Sequence, residues 1–277
     1  MRFTKMHGTG NDYIYINCLE EKVENPEELA IKLSDRHFGI GSDGLILICY
    51  SEIADAMMRM FNADGSEGEM CGNAIRCVGK YLYDNGIVKN EEISIETLSG
   101  IKKIKLKIQN GTAVGARVDM GKAVLKPSLI PVLLDGDNVI NRPVEIGGKE
   151  HKITCVSIGN PHCVVFVDDV DGLNLSLIGG QFENHPIFPE RVNTEFVQVI
   201  DSTHIKMRVW ERGSGETLAC GTGACAAVVA SVLCGHCDKG SQVEVLLKGG
   251  KLCIEFTDES VFMTGEAKKV FTGEIEI

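Results

Sequence analysis

The chain is poor in positive charge. Its 277 residues contain 28 Lys and Arg against 39 Asp and Glu, which gives a formal net charge of −11 at pH 7. Nucleic acids and anionic membrane surfaces bind basic protein surfaces, so this balance argues against both partners. Hydrophobic residues make up 44% of the chain and charged residues 24%, which is typical of a folded protein rather than a disordered one.

Long runs of large apolar residues are also lacking. The longest uncharged stretch, 217–237, is rich in Gly, Ala, Thr and Cys, which indicates a short buried helix rather than a membrane span. No apolar segment of the secretory type follows Met1. The eleven cysteines lie mostly in apolar segments, as expected for thiols packed in a reducing compartment. We therefore expect a soluble cytoplasmic protein.

The sequence contains an internal repeat. Cys71-Gly72 recurs 149 residues later as Cys220-Gly221, each time just before a helical pattern. The same distance relates two further pairs, Asn11 with Asn160 and Asn62 with Glu211. Three matches at one distance and in one order indicate a gene duplication that produced two similar halves.

The ends of the two repeats match as well. Residues 118–123 resemble residues 262–267, so each half is expected to close with a strand and a glycine turn. Too few residues follow the second match to form a domain, and we expect 265–277 to return as a strand on the first half. The expected domains are 1–117 completed by 265–277, and 118–264. Equivalent residues of two such halves would face each other across an interdomain cleft, a usual place for a ligand.

Helices and strands are predicted from periodicity and capping residues. Helices are expected from Asn25 to Asp35, from Cys71 to Asn85 and from Cys220 to Cys234. Strands are expected at 13–17, 45–49, 56–61, 101–108, 162–167, 194–200 and 205–209.

Cys71 and Cys220 are the main candidates for chemistry. A thiol at a helix N-terminus feels the helix dipole and free N–H groups, which lower its pKa and also bind carboxylates. Two buried cysteines beside glycine turns would be the simpler interpretation. Packing, however, does not require the loop chemistry to repeat, so the duplication favours a functional pair.

Two such thiols suggest a proton transfer at carbon. One thiolate would remove a proton from a carbon next to a carboxylate, and the other thiol would deliver a proton to the opposite face. The developing negative charge needs hydrogen-bond donors, and two helix N-termini would supply them. No PLP lysine or metal cluster needs to be invoked.

Other motifs give weaker signals. Residues 221–226 match a dinucleotide-binding pattern, but they lie inside the duplicated cysteine loop rather than at the start of a βαβ unit. Cys234 and Cys237 form a lone CxxC without a second pair at zinc spacing. His162 would suit a thiol hydrolase, although no third orienting member is evident.

Polar residues near the two cysteine loops are candidates for substrate binding. A charged pair such as Glu211-Arg212 can bind an ammonium and a carboxylate together, which suggests a zwitterionic group distant from the reacting carbon. The full set of polar candidates is Asn11, Asn62, Asn160, Asn193, Glu211 and Arg212.

The segments around both cysteines resemble the diaminopimelate epimerase family. The most specific stretch runs from Phe61-Asn62-Ala63-Asp64-Gly65-Ser66-Glu67 to Met70-Cys71-Gly72-Asn73-Ala74-Ile75-Arg76-Cys77. Further matches lie at 6–12, 159–162, 191–195, 211–213 and 220–223. The loop of Asn62 and the side chain at Asn73 separate the chain from the proline racemases. The cysteine pair separates it from the phenazine-biosynthesis isomerases.

This resemblance implies a PLP-independent interconversion of LL- and meso-diaminopimelate, a step of bacterial lysine and cell-wall biosynthesis. Cys71 and Cys220 would be the two acid/base thiols, with His162 and Glu211 tuning their pKa values. The reacting carboxylate would be bound by Gly72, Asn73, Gly221 and Thr222. The rest of the substrate would be bound by Asn11, Asn62, Asn160, Asn193, Glu211 and Arg212.

The fold implied by the resemblance is α+β, with two duplicated domains that each roll a mixed β-sheet around a central helix. The active site would lie between the domains, the active form would be a homodimer, and no metal or cofactor would be required. One departure is Gly44, which stands where some family members carry a substrate-contacting Gln. Two alternatives remain open from the residues alone, namely another cofactor-independent amino-acid racemase and a non-catalytic amino-acid-binding protein.

Overall fold

The computed structural model describes residues 1–276, which divide into two compact units. The first unit comprises Met1–Asp119 together with the segment that begins at Thr264. The second unit comprises Met120–Met263. Elements are numbered below along the whole chain.

The first unit is built from strands with one short and one longer helix. Its strands are β1 (Arg2–Gly8), β2 (Asn11–Asn17), β3 (Gly44–Cys49), β4 (Ala56–Asn62), β5 (Glu67–Gly68), β6 (Glu92–Thr97), β7 (Gly100–Gln109), β8 (Thr112–Asp119) and β18 (Lys268–Glu274). Its helices are α1 (Pro26–Ser34) and α2 (Gly72–Asp84).

The second unit has the same kinds of element. Its strands are β9 (Arg142–Ile146), β10 (Lys149–Ser157), β11 (Pro161–Phe166), β12 (Asn193–Asp201), β13 (His204–Glu211), β14 (Gly215–Thr217), β15 (Gln242–Leu247), β16 (Gly250–Phe256) and β17 (Val261–Glu266, which ends in the first unit). Its helices are α3 (Leu175–Glu183) and α4 (Gly221–Leu233), and a 3₁₀ turn covers Pro127–Leu129.

Strand pairing repeats from one unit to the other. In the first unit β1/β2, β3/β4, β4/β5 and β6/β7 are antiparallel, whereas β2/β3 and β4/β6 are parallel. In the second unit β10/β11, β12/β13, β13/β14 and β15/β16 are antiparallel, whereas β11/β12 and β13/β15 are parallel. In each unit the parallel pairs are bridged by the two helices, as parallel pairing requires. The α+β fold with duplicated halves is confirmed.

The longer helix of each unit is its buried element. Helix α2 packs on β1, β2, β7 and β8, and α4 packs on β10, β11, β12, β13, β15 and β16. Helix α4 is buried almost all round, because its Gly, Ala, Val and Ser side chains are small enough to let strands approach from every side. The N-terminus of each longer helix is therefore held by the sheet around it.

The helices and strands that periodicity and capping predict are all present, with ends that differ by at most two residues. The segment expected at 265–277 forms β18 over Lys268–Glu274, and Ile277 lies outside the described residues. Helix α3 was not expected. Its sequence carries two glycines, and Asn174 at its N-cap makes no capping bond through its side chain. It forms because Leu175 and Phe182 are buried in the core of the second unit. In residues 1–276, no helix has the length and apolarity that a membrane span requires.

Candidate active site

Both candidate thiols cap a helix. Cys71 has extended backbone angles (φ −129°, ψ 118°), and its Sγ accepts a hydrogen bond from the Ala74 amide at 3.5 Å. Cys220 has nearly the same angles (φ −118°, ψ 115°), and its Sγ accepts from the Gly223 amide at 3.4 Å. Each thiol thus takes the place that Ser or Asp usually occupies at an N-cap. The duplicated sequence produces a duplicated local structure.

In the first unit, Asn11 connects the cysteine to its neighbours. Its Oδ1 accepts hydrogen bonds from Cys71 Sγ and from Asn73 Nδ2, both at 3.4 Å. Its Nδ2 donates to Asp43 Oδ2 at 2.7 Å, which fixes the orientation of the amide. Gly72 is the first residue of α2. The structure therefore brings four of the sequence candidates together at one helix end.

Arg76 makes hydrogen bonds to residues of this cluster, and the sequence did not indicate it as a site residue. Its side chain is completely buried. The guanidinium donates to the carbonyl of Gly72 at 2.9 Å and to Asn73 Oδ1 at 3.1 Å. It also donates to Thr9 Oγ1 at 3.1 Å and to the carbonyl of Glu266 at 3.2 Å. These bonds turn the NH₂ group of Asn73 toward Asn11.

Asn62 lies at the end of β4 and is bonded within its own turn. Its Nδ2 donates to Ser66 Oγ at 2.9 Å, and its backbone amide donates to the Ser66 carbonyl at 2.9 Å. The structure places Asn62 opposite Gly44 in the β3/β4 pair. A Cβ atom at Gly44 would lie 2.1 Å from the carbonyl oxygen of Phe61, so the two strands leave no space for a side chain there.

Cys220 lies in a buried, negatively charged environment. Burial, followed by the charges of Glu211 and Glu195, raises the pKa of its thiol well above the ordinary value. Hydrogen bonds from Thr222 and the Gly223 amide act in the opposite direction and are outweighed. The expectation that the helix end lowers the pKa of this thiol is therefore wrong. Loss of hydration and two nearby carboxylates exceed the effect of the helix terminus.

His162 is completely buried and is bonded at both ring nitrogens. Its Nδ1 lies 2.8 Å from Glu195 Oε1, and its Nε2 lies 2.9 Å from Asn160 Oδ1. Glu195 is itself completely buried, and its Oε2 has no hydrogen-bond partner among the described residues. In the sequence, Glu195 appears only as part of segment 191–195, which resembles the family. Its contact with His162 was therefore not predicted.

The remaining candidates of the second unit surround the end of β13. Asn193 Oδ1 accepts from the Arg212 amide at 3.0 Å, and its Nδ2 donates to the Pro161 carbonyl at 2.9 Å. Asn193 thus links β11 to the residue that follows β13. Glu211 accepts a hydrogen bond from Thr217 Oγ1. The Arg212 guanidinium donates to the Glu190 carbonyl at 2.9 Å.

The two clusters resemble each other in the chemical groups that they contain. Residues 1–276 hold no group of three or more His, Cys, Asp or Glu side chains placed to ligate a metal ion. Each cluster instead combines one thiol, one helix N-terminus and amide side chains. Such groups can move a proton and bind a carboxylate.

Solved structures share the fold at low sequence identity. A phenazine biosynthesis protein of the PhzF family from Enterococcus faecalis superposes with a TM-score of 0.72 at 15% identity, covering 100% of this chain and 99% of that one. A probable proline racemase from Agrobacterium radiobacter K84 superposes with a TM-score of 0.71 at 16% identity, covering 100% of this chain and 93% of that one. These similarities concern the fold alone.

Sequence relatives are much more similar. The diaminopimelate epimerase from Acetivibrio thermocellus is 61% identical over 279 residues, covering 100% of this chain and 99% of the relative. Those from Desulfovibrio desulfuricans and Methanococcus maripaludis are 57% and 53% identical, again over 100% of this chain and 99% and 100% of the relative. The sequence profile of diaminopimelate epimerase matches residues 3–126 and 154–270. The chain is a member of the diaminopimelate epimerase family.

Proposed function

We propose that the protein interconverts LL- and meso-diaminopimelate by moving a proton at the α-carbon between two thiols, without PLP. The observation that carries this proposal is the pair of cysteine N-caps at equivalent helices of two duplicated units. Its full-length relatives named diaminopimelate epimerase support the choice of substrate. An isomerase that acts in lysine and cell-wall precursor synthesis would work in the cytoplasm.

The two thiols differ in their starting state. Burial and the charges of Glu211 and Glu195 raise the pKa of Cys220, so this thiol holds its proton at neutral pH. Cys220 is thus prepared to donate a proton to the α-carbon, and Cys71 is the thiol that abstracts the α-proton in this direction of the reaction. Reaction in the other direction exchanges these roles.

The substrate carboxylate next to the reacting carbon would be bound by backbone amides at the starts of α2 and α4. These are the positions of Gly72, Asn73, Gly221 and Thr222. Helix N-termini favour negative charge, and charge grows on this carboxylate as the proton leaves the carbon. Arg212 and Glu211 would bind the distal amino-acid group as a zwitterion.

Exchange in heavy water tests the reaction. LL-diaminopimelate incubated with the purified protein should gain deuterium at one α-carbon and yield the meso form on chiral separation. Proline, treated in the same way, tests the alternative racemase. Tight binding of diaminopimelate without exchange would favour the non-catalytic binding protein instead.

We also propose that the active form is a homodimer. Val270 and Phe271 on β18 are 56% and 46% exposed, so each face of this strand carries an exposed apolar side chain that could contact a second copy. Light scattering of the wild-type protein and of Phe271→Lys at equal concentration tests this, since the charged variant should have half the mass of the wild type.

A further inference from the structure

Two half-buried cysteines lie side by side in the first unit. Strands β2 and β3 run parallel, and their last aligned pair is Asn17 with Ile48. The ladder continues beyond this pair, because the amide of Cys18 donates to the Ile48 carbonyl at 2.8 Å. Cys18 is therefore the direct neighbour of Cys49, and both side chains are partly accessible.

This thiol pair lies on the opposite face of the sheet from the reaction cluster. Cys18 and Cys49 pack against the apolar core that includes Leu33 of α1. Tyr15, which faces the other way, donates from its hydroxyl to the Ala74 carbonyl in α2 at 3.3 Å. Side chains alternate along a strand, so the sheet separates Cys18 and Cys49 from Cys71.

The pair has a chemical asymmetry. A hydrogen bond from Cys18 lowers the pKa of the Cys49 thiol against the effect of burial, and the charge of Arg59 adds to the lowering. The same hydrogen bond, together with burial, raises the pKa of Cys18. Arg59 lies across from Leu47 in the β3/β4 pair, and it is held by Glu67 through bonds of 2.7 and 3.1 Å. Cys49 is thus the nucleophile of the pair, and Cys18 is its proton donor.

We propose that Cys18 and Cys49 form a two-cysteine oxidation site for small peroxides, separate from the reaction cluster. The Cys49 thiolate attacks a peroxide oxygen and becomes a sulfenic acid, and hydroxide leaves from hydrogen peroxide. The Cys18 thiol then attacks the sulfenic sulfur, which forms the disulfide and releases water. Two electrons pass from the thiols to the peroxide. Neighbouring strands lie about 4.8 Å apart, inside the range of Cα separations that a disulfide spans, so little backbone movement is needed.

Peptide mapping tests the site. Trypsin places Cys18 in 6–22 and Cys49 in 37–59, each as the sole cysteine of its peptide. After mild hydrogen peroxide treatment, we expect these peptides to be linked with the loss of two hydrogens and separated by reductant. In Cys18→Ser the Cys49 peptide should instead carry a sulfenic acid trapped by dimedone. In Cys49→Ser the Cys18 peptide should remain unmodified.

Cys155 and Cys163 provide the matched control. They lie directly opposite each other in the β10/β11 pair, but both are buried. Peroxide should leave this pair reduced at a dose that links Cys18 to Cys49. The proposal would be overturned if peptides 6–22 and 37–59 stayed unlinked at peroxide doses that oxidise other cysteines of the chain, or if both pairs were oxidised equally. None of these readouts depends on epimerase activity.

Discussion

Nδ1 of His162 lies 2.8 Å from Oε1 of Glu195, and both side chains are completely buried. Each side chain gives the other a hydrogen-bond partner inside the protein, where an unpaired polar group would be costly. The other ring nitrogen is bonded to Asn160, so Glu195 determines how His162 presents its ring to that residue. Glu195 also contributes to the raised pKa of Cys220.

Replacing Glu195 tests this arrangement. Glu195→Gln keeps the shape of the side chain but removes its charge. We expect kcat to fall about tenfold or more, because one hydrogen bond to a charged group is lost. We also expect the pH profile of activity to shift. Glu183→Gln is the control, because Glu183 is also buried but is bonded to Trp210 and the Gly213 amide. Equal effects of both variants would reduce Glu195 to a structural role.

Removal of either thiol should abolish epimerisation. Two-base proton transfer needs one carrier on each face of the carbon, so we expect Cys71→Ala and Cys220→Ala each to lose about 10²- to 10⁴-fold in kcat. Circular dichroism should be unchanged. The controls are Cys77→Ser and Cys225→Ser, which alter buried cysteines of the same two helices. Near-normal turnover of either alanine variant would contradict the two-thiol mechanism.

The charge of Glu211 should control the reactivity of Cys220. Because carboxylates raise the pKa of this thiol, Glu211→Gln is expected to lower it. Alkylation of Cys220 should then become faster at pH 8, even though the variant loses activity. Mass spectrometry of peptide 213–239 with fragmentation distinguishes Cys220 from the other cysteines of that peptide. A slower alkylation of Cys220 in Glu211→Gln would mean that the carboxylate lowers the pKa of this thiol, and it would contradict the proposed effect of Glu211.

Arg212 should matter for binding rather than for proton transfer. Its guanidinium would pair with the distal carboxylate of the substrate, which lies away from the reacting carbon. We expect Arg212→Ala to raise KM about tenfold or more, with a smaller change in kcat and weaker discrimination at the distal centre. Arg191→Ala, which removes the ion pair with Glu183, is the control. Unchanged kinetics in Arg212→Ala would mean that the distal group is bound elsewhere.

Asp12 should make the fold of the first unit dependent on pH. Burial raises the pKa of its carboxyl, but Arg36 and Lys5 outweigh this effect and hold the pKa below its ordinary value. The Lys5 and Arg36 contacts are 2.5 and 2.8 Å long. A lowered folded-state pKa contributes stability above the unfolded pKa and loses it as pH falls. Asp12→Asn should therefore cost about 2 kcal/mol of unfolding free energy at pH 7 and much less near pH 3.

Urea melts of wild type and Asp12→Asn at both pH values measure this difference. Glu92→Gln is the control, because it removes an exposed carboxylate whose ion pair with Lys105 lies in solvent and contributes little to stability. If Asp12→Asn destabilised the protein equally at pH 7 and pH 3, the ion pairs of Asp12 would not be its main contribution.

The sequence was sufficient for the elements that local patterns encode. The capping cysteines, the apolar periodicity of α2 and the alternation of β7 are all short-range signals, and each produced the element expected. The internal repeat added long-range information, because it showed that the two cysteine loops are equivalent. Helix α3 has no side-chain capping bond at its N-cap and no terminal charge pattern, and it is stabilised by tertiary packing that no short window reveals.

Residues of the candidate site were predictable where a sequence motif contains them, and not where only a contact with a distant residue gives them a place in the site. Cys71, Asn11 and Asn73 were found from their motifs, and they do share hydrogen bonds. Arg76 reads in sequence as a solvated helical arginine, yet it is buried and bonded to the residues around it. Glu195 is predicted from the sequence only as a strand residue. Its contact with His162 depends on which side chains the fold brings together, and that is not a property of its own segment.

The close approach of β3 and β4 at Gly44 also limits protein engineering. Any side chain introduced at this position, a Gln for example, would drive its Cβ into the Phe61 carbonyl. Such a graft would succeed only if β4 moved, and β4 ends at Asn62. A side chain added at Gly44 to contact the substrate would therefore displace Asn62, which we propose as another substrate-binding residue. Redesign of specificity in this chain has to treat the two strands as one unit rather than exchange single side chains.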